Sequence, residues 1–183
     1  VGSITEKART RYVTDREYDA LLSVAHTPVK VAMELAYLCC ARQGDILDLK
    51  KNQILENGIM IQQSKTAVPQ IKAWTERLEN AVKLAEALPL NSGMVSIFLL
   101  HQPSGLRYTR DAFNAQWAKA KALAADKYPE LDFKFTFHDL KAKGISDLEG
   151  TLHEKQEISG HKNAMQTARY NRKIPIVPVV GGQ

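Results

Sequence analysis

The feature that most constrains this chain is a change of hydrophobic period between Leu49 and Thr75. On either side, apolar residues recur three and four positions apart, as on amphipathic helices. Tyr18, Leu21, Leu22 and Ala25 do so before the change, and Phe113, Trp117 and Ala120 after it. Between them the helical spacing is lost. Gln53-Ile54-Leu55, Glu56-Asn57-Gly58 and Ile59-Met60-Ile61-Gln62-Gln63 read as a hairpin through an Asn-Gly turn. A further turn at Ser64-Lys65-Thr66 leads to a third strand near Val68 to Ala73, where Pro69 fits an edge position. The expected fold class is α+β: a mainly α-helical single domain with a small three-stranded antiparallel sheet, and Lys65 at a hairpin tip.

Helix punctuation fills in the rest. Thr14 with Glu17 forms a capping box for the first helix, and Pro28 opens a more apolar one that runs to about Ala41. Gly44 is expected to end that helix, which places Arg42 at a helix C-terminus, with Asp45 capping the turn Ile46 to Leu49. Thr75 caps a helix to about Leu88, and Thr109 caps another to about Ala125. Met94 to Leu100 fits a strand or a buried helical turn equally. A helix from about Thr136 is expected to bend near Gly144, followed by short helices over His153 to Ile158 and from Asn163 through Tyr170. The prolines of Ile174 to Val180 exclude a helix there.

Composition narrows the function classes. At 183 residues the chain is long enough for one cored domain, and Lys plus Arg exceed Asp plus Glu by 25 − 20 = 5. A pI of 9.2 suits a polyanionic partner. Cys39 and Cys40 are adjacent in an apolar stretch, which reads as two buried thiols rather than a disulfide. No CxxC or HxxxH spacing offers a zinc site, and no apolar run approaches the roughly 20 residues that cross a bilayer. The expectation is a soluble protein of the cytoplasm with no metal, no cofactor and no membrane partner. Because the chain opens on Val1, it also reads as a piece of something longer.

Six residues carry chemistry: Arg42, Lys65, His138, Lys141, His161 and Tyr170. Each has an ordinary explanation taken singly, as a helix-end cation, a solvated lysine, a terminal histidine or a packing tyrosine. All six fall at element ends or loop tips, where side chains converge on a ligand. As a set they offer cations for non-bridging phosphate oxygens, a base, an acid and a nucleophile.

The strings around these residues are specific. Ala41-Arg42-Gln43-Gly44-Asp45-Ile46-Leu47-Asp48-Leu49 resembles the first-arginine box of the tyrosine recombinase (phage integrase) family. Ser64-Lys65-Thr66 resembles its hairpin lysine, and His138-Asp139-Leu140-Lys141 its His-x-x-Arg box. Ser159-Gly160-His161 is similar to its Leu-Gly-His box, and Ala168-Arg169-Tyr170 to its nucleophile segment. The one departure is Lys141 in the place of an arginine. Lysine keeps the charge and loses the planar two-pronged contact.

The resemblance implies site-specific cleavage and rejoining of double-stranded DNA at attachment-type sites, through a 3′-phosphotyrosyl link to Tyr170, without metal or ATP. Arg42 and His161 would hold the phosphate, Lys65 would protonate the leaving 5′-oxygen, and His138 would take the tyrosine proton. Residues 1–173 would form the catalytic domain, with the N-terminal DNA-binding region outside the sequence. The tail 174–183 would pack on a neighbouring protomer or fold back on its own domain. Implied partners are further copies, as a tetramer on DNA in a bacterial host, and accessory DNA-bending proteins. Lys50, Lys51, Arg107, Arg110, Lys119, Lys121, Lys143 and Lys162 are candidate phosphate contacts beyond the site. Two rivals stand beside this reading: a DNA-binding module of the same fold that has lost catalysis, and a type IB topoisomerase that relaxes DNA.

Overall fold

The computed structural model describes residues 11–63, 68–148 and 174–182. Lys65, His161 and Tyr170 therefore lie outside the described residues, as do Lys162 and the two short helices expected after Gly150.

Helix α1 spans Asp15–Val24 and starts at the expected capping box. The Glu17 amide donates to Thr14 Oγ1 at 3.2 Å, and the Thr14 amide donates back to Glu17 Oε1 at 2.9 Å. Helix α2, Thr27–Leu38, follows with Pro28 in its first turn, and nearly every residue from Val29 onwards is buried. Threonine side chains cap two later helices, as expected: Thr75 for α4 (Glu76–Glu86) and Thr109 for α5 (Arg110–Lys127). Helix α6 is His138–Asp147.

The core forms where α2 meets α4 and α6, with α1 against α5 on the other side. One end is aromatic. Phe137, just before α6, sits edge-on to Phe113 at 5.2 Å and to Trp117 at 5.4 Å, so α5 and the start of α6 are locked through their rings. The expected face Phe113, Trp117 and Ala120 is the buried face of α5.

The first expected hairpin is present, as strands β1 (Ile54–Leu55) and β2 (Gly58–Ile61). Its pairing Leu55 with Gly58 places Glu56-Asn57 at the turn, and Gly58 begins the strand. The glycine is needed for proximity as well as for its φ of +154°: a Cβ there would lie 2.1 Å from the Lys72 carbonyl oxygen. Strand β3, Gln70–Ala73, pairs antiparallel with β2. The sheet has a fourth strand. Tail residues Ile176–Val177 form β4, parallel to β3, so the order is β1-β2-β3-β4 and β3 is internal. Pro69 precedes β3 and takes no place in its ladder. Met94 to Leu100 is neither strand nor helix. It runs irregularly and is tied back through the Lys51 amide to the Ile97 carbonyl at 2.8 Å.

The end of α2 differs from expectation. The helix closes at Cys39, and Cys40 takes a left-handed φ of +52°, the conformation expected of Gly44. The chain re-enters a helix at once: α3 is Gln43–Leu47, with Gly44 inside it and Arg42 as its N-cap. Arg42 thus stands at the start of a helix and not at the end of one.

Candidate active site

Three of the six sequence-derived residues are described, on three elements. Arg42 is the exposed N-cap of α3, His138 is the exposed first residue of α6, and Lys141 is one turn further along α6 with only 4% of its surface exposed. His138 and Lys141 share a helical face by spacing, yet their surroundings differ completely.

The α2–α3 kink and α6 bring Arg42 and Lys141 close enough for each to feel the other's charge. Burial and then the positive field of Arg42 lower the Lys141 amine to about 8, far below an ordinary lysine. Asp45, in α3, belongs to the same cluster. Burial raises its carboxyl, against the pull of Arg42 and Lys141, and its Oδ2 is buried with no hydrogen-bond partner among the described residues. Arg42 acts on Asp45 through charge, with no hydrogen bond between them among the described residues.

Lys141 Nζ donates to Gln63 Oε1 at 3.0 Å, and Gln63 Nε2 donates to the Cys40 carbonyl at 3.2 Å. Gln63 is the last described residue before the segment that carries Lys65. At the start of α6, a local turn sets the helix entry. The Thr136 amide donates to Asp139 Oδ2 at 2.8 Å, and the Asp139 amide returns to the Thr136 carbonyl at 3.1 Å.

The wider set of basic residues divides in two. Lys50, Lys51, Arg107, Arg110 and Lys119 are exposed, Arg107 in an ion pair with Asp48. The Arg110 guanidinium lies 3.8 Å from where a Cβ on Gly44 would sit, so it borders α3, the helix that Arg42 caps. Lys143 is different. Its side chain is 1% exposed and bonds Asp15 at 2.7 Å, Asp147 at 3.0 Å and the Tyr12 hydroxyl at 3.0 Å. It also sits over the Tyr12 and Tyr37 rings. These partners outweigh burial and raise its pKa, so Lys143 ties α6 to the N-terminal segment and is not a phosphate contact. Lys121 is partly buried and donates to the Phe135 carbonyl at 2.6 Å. Cys39 and Cys40 are buried free thiols, held up at about 12 and about 11 chiefly by burial.

Gln63 escaped the reading of motifs, although a signal was present. Ile59, Ile61 and Gln63 alternate on the buried face of β2 and its extension, so the glutamine is a polar residue at a core-facing position.

A sequence model described as the phage integrase family matches residues 11–175. The integrase of Escherichia phage HK022 is 27% identical over 176 residues, covering 91% of this chain and 48% of that protein. The chain therefore spans about half the length of the curated relative it matches. The lambda integrase catalytic core superposes with a TM-score of 0.67 at 17% identity, covering 92% of this chain and 98% of that one. A lambda integrase tetramer bound to a Holliday junction gives 0.67 at 18% identity, over 88% of this chain and 50% of that one. At such identities the structural likeness speaks for the fold.

Proposed function

The chain belongs to the phage integrase family, and from that premise we propose that it cuts and rejoins DNA strands at a specific site, with Tyr170 as nucleophile. The observation that carries this reading is the pairing of Arg42 with Lys141. The two cations share their cluster with one carboxylate, Asp45, so it carries a net positive charge that an added anion would balance. A DNA phosphodiester supplies that anion.

In the proposed reaction the Tyr170 hydroxyl attacks the phosphorus and passes its proton to His138. The bond to the 5′-oxygen breaks, and Lys65 gives that oxygen a proton. Arg42, Lys141 and His161 stabilise the charge on the non-bridging oxygens. A 5′-hydroxyl of another strand then attacks the phosphotyrosyl link, which restores the diester and frees the tyrosine. No step consumes ATP or requires a metal. The multimeric state of the lambda integrase on a Holliday junction supports a DNA-bound tetramer for this chain, and DNA-bending proteins and a bacterial host cell complete the proposal. In that assembly the tail from Ile174, which pairs with its own β3 in the single chain, would exchange onto a neighbour's sheet.

The test is a suicide duplex, nicked beside the cleavage point so that the broken strand diffuses away. A set of such duplexes tiles the ends of the genetic element that encodes the chain. A protein–DNA band resistant to denaturation is expected, and Tyr170→Phe should abolish it. DNA binding without that band supports an inactive module. Plasmid relaxation without recombinant products supports the topoisomerase.

A further inference from the structure

The Gln63 side chain is held between two groups that leave it one orientation. As an ammonium, Lys141 Nζ can only donate, and the Cys40 carbonyl can only accept. The amide oxygen must therefore face the lysine and the amide nitrogen the carbonyl. Gln63 is 6% exposed and Lys141 4%, so neither contact is replaced cheaply by water. Three pieces of the fold meet on this amide. They are the extension of β2, the left-handed corner at Cys40 that turns the chain toward Arg42, and the middle of α6.

We propose that Gln63 is a positioning residue for phosphate binding, fixing the Lys141 ammonium beside Arg42 and tying it to the corner at Cys40. The proposal rests on the recombinase reading above. Its chemical logic follows from what a lysine lacks. An ammonium on a four-carbon stem has no built-in direction, whereas a guanidinium is a planar fork. Tethering one N–H to a fixed carbonyl supplies direction and leaves two N–H groups for a ligand. A neutral amide does this without cancelling the charge. A glutamate would hold the ammonium more tightly while setting an anion where phosphate must bind. Among the described residues, the groups acting on Lys141 are Arg42 and Asp45 from the α3 region, Cys40 at the corner, and Lys72 from β3. Arg42 and Lys72 disfavour its charged form, and Asp45 and Cys40 favour it, so the Gln63 oxygen adds to the weaker side.

The test follows the Lys141 amine directly in full-length protein labelled with 13C at lysine Cε, its signal identified by its loss in Lys141→Met. Gln63→Leu is expected to move the amine titration downward by at least half a pH unit, and Gln63→Glu to move it upward. In suicide-duplex cleavage, the fall of rate on the alkaline side should shift the same way in each variant. At pH 7.5, Gln63→Leu should cleave on the order of tenfold more slowly. Gln63→Glu keeps the volume but sets an acceptor against the Cys40 carbonyl, so Gln63→Met, close in volume and without either polar atom, is the fallback if leucine is not tolerated. An unchanged Lys141 titration in both variants overturns the proposal. Shifted titrations with an unmoved cleavage profile also overturn it, because the tether would then be structural only. Failure of the wild type to form any covalent complex sinks the recombinase reading itself, while the titration still reports whether Gln63 holds the amine.

Discussion

Lys141 is held in a place that disfavours its charge, and that has a consequence for stability whether or not DNA is present. Its folded pKa, about 8, lies below the ordinary lysine value of 10.5. Between these two pH values the unfolded chain keeps a proton that the folded chain has released, so unfolding takes up protons and stability rises with pH across that window. Below pH 8 both states are protonated and the penalty of burying the charge is present in full. In Lys141→Met this penalty is gone at every pH. Relative to wild type, the variant should therefore stand best below pH 8 and lose that advantage by about 1 kcal/mol per pH unit up to 10.5. Urea unfolding of both proteins at pH 7, 8, 9 and 10 checks this, since other groups cancel in the difference. A flat difference would mean that Lys141 titrates as a free lysine. Stabilisation near neutral pH joined to loss of cleavage would mark a charge retained for a ligand.

Helix α6 carries two lysines two positions apart with opposite fates, and its glycine explains why both are buried. The sequence suggests a bend at Gly144, yet the helix continues to Asp147. The glycine is there for proximity: a Cβ would come within 2.2 Å of the Tyr37 carbonyl oxygen and 3.2 Å of Cys40 Sγ. Both neighbours belong to α2 and its end, and backbone cannot move aside like a flexible side chain. Gly144→Ala must therefore push α6 away from α2, and with it Lys141 and the Lys143 cluster. Stability should fall by about 2–4 kcal/mol by chemical denaturation, with weaker DNA cleavage. What was legible in this element was local: its approximate start, the spacing of His138 and Lys141, and the presence of an unusual glycine. The close approach of α2 was not, because helix-to-helix distance is set by residues over a hundred positions away. The same limit hid the role of Lys143, whose partners Tyr12 and Asp15 lie at the other end of the chain. It also hid the left-handed turn at Cys40, a conformation that glycine would be expected to supply.

On the scale of the molecule, the tail closes the sheet and also limits the proposed nucleophile. The hairpin and the capped helices could be read in sequence because period and capping are local. A parallel partner for β3 could not, because nothing in Ile176–Val177 names the strand it joins. The docking is substantial. The Ile71 amide donates to the Pro175 carbonyl at 2.9 Å, the Val180 amide donates to the Leu38 carbonyl at 3.1 Å, and Val177 and Val179 are 5% and 1% exposed. Tyr170 lies four positions before Ile174, and four extended residues reach at most roughly 14 Å. Chain length alone therefore limits the separation of Tyr170 from Ile174 to that reach. Val179→Asp places a carboxylate in an apolar site and should destabilise by about 3–5 kcal/mol. Ending the chain after Lys173 removes the same docking without adding a charge, and both variants should unfold at lower urea than wild type. If the tail also restrains Tyr170, the truncated chain at low temperature, where it remains folded, should still bind DNA but form the covalent link more slowly. Equal rates of covalent-complex formation, measured on the suicide duplex under folded conditions, would assign the tail to stability alone.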